Sequence, residues 1–276
     1  MLEIPESAVL AEQLNETVAG KMIDHVLANS SPHGFAFYFD DPSGYPALLN
    51  NRIIDNACAL AGQVELAAGE ARILFSDGVN LRFFAAGEVL PTKHQLSIEF
   101  MDGSALIATV QMYGGLYAFL AGQNDNPYYL AAREKPSPLT ERFNEAYFEQ
   151  LWAGAKPTLS VKAFLATEQR IHGLGNGVLQ DILFNARVHP KSKLAALSAA
   201  EEVGLFTSIK KTLAQMAARG GRDTEKDLFG RAGDYATILS KKTLQTPCPV
   251  CGGILLRQSY LGGNIYFCPA CQPIKD

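Results

Sequence analysis

Apolar residues recur at helical spacing from Ser7 to Val18 (Val9, Leu10, Leu14, Val18), and Pro5 stands just ahead of them, so the chain is predicted to open with a helix. From Gly34 to about Leu120 the pattern shortens to β-prone runs: Phe35-Ala36-Phe37-Tyr38-Phe39, Arg72-Ile73-Leu74-Phe75 and Leu96-Ser97-Ile98-Glu99-Phe100. Asp77-Gly78 and Asp102-Gly103 separate runs as hairpin signals, and this half reads as a β-sandwich. The stretch 124–140, with Asn126-Pro127, Lys135-Pro136 and Ser137-Pro138, is rich in breakers and reads as a linker. Helical patterning then returns over Glu141–Leu151, Val161–Gln169, Gly177–Ala186 and Ala199–Ala218, before Gly220-Gly221 opens a polar loop. The expected organisation is a sandwich domain with a leading helix (1–123), a linker (124–140), a helical domain (141–245) and a short terminal unit (246–276).

That last unit carries the clearest chemistry. Cys248 and Cys251, then Cys268 and Cys271, form two Cys-x-x-Cys knuckles, the spacing by which two tight turns present four thiolates to one tetrahedral zinc at the tip of a β-hairpin. The alternative is two disulfides or four free thiols. With Cys58 the single further cysteine and no secretory signal, an oxidised framework has little support. One structural zinc is expected, and Cys58, among apolar neighbours, reads as a buried small side chain.

Composition bounds the rest. A chain of 276 residues with 47% hydrophobic content can bury a sizeable core, and no apolar run approaches the roughly twenty residues that span a bilayer. A soluble protein of a reducing compartment is expected, cytoplasmic and nucleoid-associated if bacterial. The net charge of −4 is split: residues 1–150 carry 8 Lys and Arg against 19 Asp and Glu, whereas residues 151–276 carry 16 against 9. A basic C-terminal half attracts phosphates by releasing their counterions, so a nucleic acid would be held mainly from that side; solvated lysine-rich helix faces are the plainer alternative.

Between two of the helices lies Gln169-Arg170-Ile171-His172-Gly173-Leu174-Gly175-Asn176-Gly177. Its glycines let the backbone turn and approach another molecule closely, the amides opening the next helix suit a phosphate, Asn176 can donate to the same oxygen, and Lys162 can add a full charge. Taken alone, the same pattern also describes an ordinary tight turn.

Leu165 to Pro190, with this Gly-Leu-Gly-Asn turn, Asp181-Ile182-Leu183-Phe184 and Ala186-Arg187-Val188-His189-Pro190, resembles the helix-two-turn-helix segment of formamidopyrimidine-DNA glycosylases and endonuclease VIII. The cysteine hairpin, with Phe267-Cys268-Pro269-Ala270-Cys271-Gln272, resembles the finger that ends the same proteins. The resemblance implies an α+β, bilobal protein: an N-terminal β-sandwich with leading helix, a C-terminal helix-two-turn-helix domain and a zinc-binding β-hairpin. It also implies base excision repair on damaged duplex DNA, by flipping the damaged base and attacking the sugar with an N-terminal proline amine; a monomer that does not engage membranes is expected. Lys162, Gly173, Gly175, Asn176 and His94, the last similar to a phosphate-contacting histidine, would contact the DNA; His94 is otherwise an ordinary surface histidine.

The catalytic apparatus departs from that pattern. The family's Met-Pro-Glu-Leu-Pro-Glu start becomes Met1-Leu2-Glu3-Ile4-Pro5-Glu6, and Leu2 is expected to leave Met1 in place, so that the nearest free amine is Met1, one residue out of register. Glu3 and Glu6 remain as matching carboxylates, which a helix start would favour in any case. No lysine occurs between Lys21 and Lys93, where the family's sandwich supplies a catalytic one. No arginine lies between Arg82 and Arg133, where an Arg-Phe wedge belongs; Gln111-Met112-Tyr113-Gly114-Gly115 stands there instead. Phe83-Phe84-Ala85-Ala86-Gly87 replaces a strand end that carries a methionine, and Gly263 replaces the finger's DNA-contacting arginine. The loop 220–231 reads as mobile, with Arg222, Lys226 and Arg231 free to meet phosphates. The expectation is damaged-DNA binding with weak or absent conventional glycosylase and AP lyase activity. The alternatives are an active enzyme using a non-proline amine and a protein-interaction scaffold.

Overall fold

The computed structural model describes residues 2–276, so the expectation placed on Met1 lies outside the described residues. The chain divides into two compact units, one of residues 1–134 with 220–234, the other of 135–219 with 235–276.

The first unit opens with α1 (Ile4–Thr17), which starts earlier than its apolar periodicity because Pro5 occupies the first turn, where a missing N–H costs nothing. Next come β1 (Ile23–Ala28), β2 (Ala36–Tyr38), the short α2 (Tyr45–Leu49), β3 (Asn56–Leu60), β4 (Gln63–Ala68), β5 (Ala71–Phe75), β6 (Val79–Phe84), β7 (Leu96–Phe100), β8 (Ala105–Val110) and β9 (Gly114–Leu120). They form two sheets, β1-β7-β8-β6 and β2-β9-β5-β4-β3. Val26, Leu81, Ile98 and Leu106 of the first sheet meet Val64, Leu66, Ile73 and Leu116 of the second in one buried core, which Leu10 and Leu14 of α1 join. The unit is the β-sandwich that the alternating runs indicate.

Asp102-Gly103 closes the β7–β8 hairpin, with Gly103 at φ +80°. Asp77-Gly78 does something else: it carries the chain from β5 in one sheet to β6 in the other. Gly78 is at φ +80°, and a Cβ there would lie 1.8 Å from the Tyr113 carbonyl oxygen, so the crossover requires glycine. Cys58 is exposed rather than buried, because in β3 the inward position belongs to Ala57 and its neighbours point out. The stretch expected as a linker contains α3 (Pro127–Glu134), whose Pro127 opens the helix instead of breaking it.

In the second unit α4 (Glu145–Ala153), α5 (Val161–Ala166), α6 (Asn176–Asn185) and α7 (Ala199–Ala218) precede the hairpin β10 (Leu256–Tyr260) and β11 (Gly263–Phe267). Ser198 and Glu201 form a capping box on α7, and Asn144 caps α4. Phe143, Phe148, Trp152, Phe164 and Phe206 meet edge-on or tilted, with Phe143 and Phe206 stacked, at centroid distances of 5.1–6.3 Å. Helix α5 stops short of Gln169. Arg170 donates to the carbonyls of Ala163 and Thr167, and Glu168 and Gln169 turn to positive φ. Among the described residues no helix is long and apolar enough to cross a membrane.

Candidate functional site

The four expected cysteines converge. Their Sγ atoms all lie within 4.8 Å of one another, with Cys248–Cys271 at 3.8 Å and Cys251–Cys268 at 3.5 Å. A tetrahedron with metal–sulfur bonds of about 2.3 Å has sulfur–sulfur edges of about 3.8 Å, so the set fits one metal ion of tetrahedral preference. Each knuckle is held by its backbone: Gly252 N–H donates to Cys248 O, Gln272 N–H to Cys268 O, and Gly253 N–H to Cys251 Sγ. Burial opposes the charge on the Cys248 thiol, but the amides of Cys251 and Val250 favour its thiolate and bring it down to about 7. Bound there, a metal would tie the two turns together and fold the hairpin.

Around that hairpin gather two of the residues expected to contact nucleic acid. Lys162 is only 3% exposed; its Nζ donates to Tyr260 O at 2.6 Å, and burial lowers its pKa. Asn176, first residue of α6, donates from Nδ2 to Asn264 O at 2.9 Å, and Gln180 one turn on donates to the same carbonyl while accepting from Tyr266 N–H. Both side chains are therefore turned onto the finger. Gly263, where the family pattern has arginine, packs against Asn176, and a Cβ there would meet it at an ordinary 3.5 Å. The preceding turn is shaped by Gly173 at φ +74°, and Gly175 forms the N-cap of α6. Sequence reasoning missed Lys191, whose Nζ stands 5.0 Å from the Tyr260 ring; Lys162 lies 6.0 Å from the same ring. The signal was available in His189-Pro190-Lys191, but only the fold brings Lys191 to Tyr260.

In the first unit His94 is tied down through Nδ1 to the Pro91 carbonyl at 2.9 Å, and its buried Nε2 has no partner among the described residues. Glu3 and Glu6 come together at the start of α1 on an unforeseen third residue. Arg222, in the loop expected to be mobile, is 2% exposed and grips Glu6 through Nε and Nη2, both at 2.8 Å, while its Nη1 lies 3.6 Å from Glu3. Burial opposes the guanidinium charge, yet the two carboxylates overcome that cost and raise its pKa further above its usual value. Arg222 is a buried counterion and not a free phosphate contact. Asp227 anchors the same loop by accepting from Gln13 Nε2 of α1 and from the Phe229 and Arg231 amides. Leu2, at the family's nucleophile position, is 6% exposed within the sandwich core.

A sandwich with a leading helix, a glycine-turned helix pair and a four-cysteine hairpin define the architecture of the glycosylases that end in a finger. The family model "Formamidopyrimidine-DNA glycosylase H2TH domain" matches residues 135–227. A formamidopyrimidine-DNA glycosylase of Vibrio cholerae is 30% identical over 214 residues, covering 76% of this chain and 77% of the relative. That of Symbiobacterium thermophilum is 27% identical, covering 100% and 90%. The chain belongs to the formamidopyrimidine-DNA glycosylase family. Its fold is similar to that of the MutM (Fpg) protein of Thermus thermophilus, at a TM-score of 0.81 and 23% identity over 99% of both chains. It is also similar to the Lactococcus lactis Fpg in complex with DNA containing an abasic site, at 0.84 and 22% over 98% and 99%.

Proposed function

We propose that this chain is a member of the family that holds one structural zinc, binds duplex DNA at damaged or distorted sites, and has weak or no conventional glycosylase and AP lyase activity. The observation that carries the reading is the buried clamp of Arg222 on Glu6 and Glu3. A carboxylate that shuttles protons must reach the reacting atoms, and here both Glu6 oxygens and one Glu3 oxygen are taken up by a buried guanidinium. Leu2 supports the reading: wherever Met1 is retained, the Leu2 nitrogen is an amide with no basic lone pair for a sugar carbon.

The binding half rests on the relatives and on the charge. The Lactococcus lactis protein is seen on DNA, and the C-terminal half of this chain is the basic one. Lys191, beside Tyr260, and the turn of Gly173 and Gly175 are the proposed phosphate contacts, while Lys162 and Asn176 act behind them by holding the hairpin through the Tyr260 and Asn264 carbonyls. The protein acts in the cytoplasm, at the nucleoid in a bacterium.

Borohydride trapping on abasic-site DNA, run beside anisotropy titrations at several salt concentrations, tests both halves. The expected outcome is saturable binding that weakens steeply with salt and leaves no covalent adduct. An adduct mapped to Met1 or to a lysine would establish the active-enzyme alternative. Absence of binding at low salt, with capture of a basic protein instead, would establish a scaffold.

A further inference from the structure

Helix α7 carries two apolar stripes. One, of Leu205, Ile209, Leu213 and Met216, is fully buried. The other, of Ala199, Val203 and Phe206, recurs at i, i+4 and i+7 on a different side of the same helix, and Val203 is 53% exposed. A surface helix normally spends one apolar face on its core and turns polar residues outward, so the second stripe lacks the partner that its spacing provides for.

That stripe borders an open groove against α4. Phe148 of α4, 2% exposed, forms the floor with Phe206, their ring centroids 5.6 Å apart, and with Val203 they line a space of about 120 Å³. A protein cavity of about 150 Å³ accommodates benzene, so this space takes one bulky apolar side chain and no more. Three carboxylates stand around it: Glu145 and Glu149, one turn apart on α4, and Glu202 on α7. Helix dipoles account for Glu145 and Glu202, which stand in first turns, but not for Glu149. Among the described residues none of the three forms an ion pair, whereas the neighbouring Glu201 is paired with Lys275. Burial, then the Glu149 charge, raise the Glu202 pKa above its usual value, as like charges do when no cation stands between them.

An apolar floor of one side chain's size inside an acidic rim specifies what would cover it. We propose that this groove docks a partner protein through one bulky apolar side chain flanked by lysine or arginine, the side chain resting on Phe148, Val203 and Phe206 and the cations meeting Glu145, Glu149 and Glu202. The same carboxylates repel phosphates, which sets nucleic acid and anionic lipid apart from this partner. The docking surface does not depend on the DNA reading above.

Trp152, the single tryptophan of the chain, stacks at 5.9 Å on Phe148 and reports on the floor. Titrating the full chain with synthetic helical peptides that carry one leucine or phenylalanine between lysines tests the assignment, beside peptides with glutamate in place of the lysines and peptides with serine in place of the anchor. A saturable change in tryptophan emission is expected with the lysine peptides, about tenfold weaker without the anchor and absent with the glutamate peptides. Val203→Ser and, separately, Glu149→Lys should each weaken the lysine peptides about threefold or more, with melting temperature and DNA affinity unchanged. Sedimentation of the chain alone separates a second copy from a partner: self-association that Val203→Ser abolishes would overturn the assignment in favour of a dimer. No saturable peptide binding, binding indifferent to the anchor, or affinities unchanged in both variants, as basic peptides held on the acidic sandwich would give, would overturn it as well.

Discussion

Replacing Arg222 by Met keeps the buried stem and removes the charge that Glu3 and Glu6 share. Glu6 loses two contacts of 2.8 Å and Glu3 one of 3.6 Å, and both carboxylates stay at under a tenth exposure. Removing one member of a buried ion pair costs about 3–5 kcal/mol, chiefly because the stranded charge has no water to return to. Against a typical stability of about 5–15 kcal/mol, a loss of that size is about a fifth or more of the total. With a urea slope of about 1–3 kcal/mol per molar, the unfolding midpoint should fall by more than about 1 M. The dependence on pH gives the prediction its sign. The penalty is that of a buried carboxylate charge left without its guanidinium, so it fades as acid neutralises that charge. The gap between native protein and variant therefore narrows on acidification, and adding Glu6→Gln should restore part of the loss. Far-UV circular dichroism follows the transition, while Trp152, which belongs to the other unit, reports that unit separately. An unchanged midpoint near neutral pH, or a loss indifferent to pH, would refute the reasoning.

Chelation, or Cys268→Ser, should release one metal per chain and abolish the protection of β10 and β11 amides from hydrogen exchange, read beside metal analysis. Gly78→Ala should cost roughly 3 kcal/mol in thermal or urea melts, from the strained φ and the Tyr113 carbonyl together, whereas Gly20→Ala, at φ +82° with nothing within 4 Å, should cost only about 1. Asp77→Asn should stabilise the protein by about 2 kcal/mol above pH 6, because a carboxyl whose folded pKa is raised weighs against folding once ionised; the gain should vanish toward pH 4, as paired melts will show. Lys191→Ala should weaken DNA binding across all sequences and lower the salt slope by about 1 in anisotropy titrations.

What the sequence discloses about the fold follows the range of the interactions involved. The Cys-x-x-Cys spacing and the Gly-Leu-Gly-Asn turn are local, so the metal set and the helix pair were legible before any coordinates. The dipeptide Asp77-Gly78 announces a positive φ but not which sheet the next strand joins, and that choice rests on Tyr113, far along the chain. Pro127 reads as a breaker by composition and opens a helix by position. Cys58 has apolar neighbours, yet a period of two along β3 turns it outward. Arg222 was the hardest to foresee. Two glycines and a run of charges look like a solvated loop, and only the return of that loop to Glu3 and Glu6 makes its charge an interior one.

The return of residues 220–234 to the sandwich also decides how this chain can be taken apart. The backbone passes between the units three times, after Glu134, Arg219 and Asp234, so neither unit is a continuous stretch of sequence. A fragment cut at residue 134 would carry every strand of the sandwich and still lack the cation that neutralises its first helix. Expression of the halves, exchange of one half with a relative, or a proteolytic nick between them would separate a buried charge from its partner. The ion pair thus needs residues 1–134 and 220–234 in the same molecule.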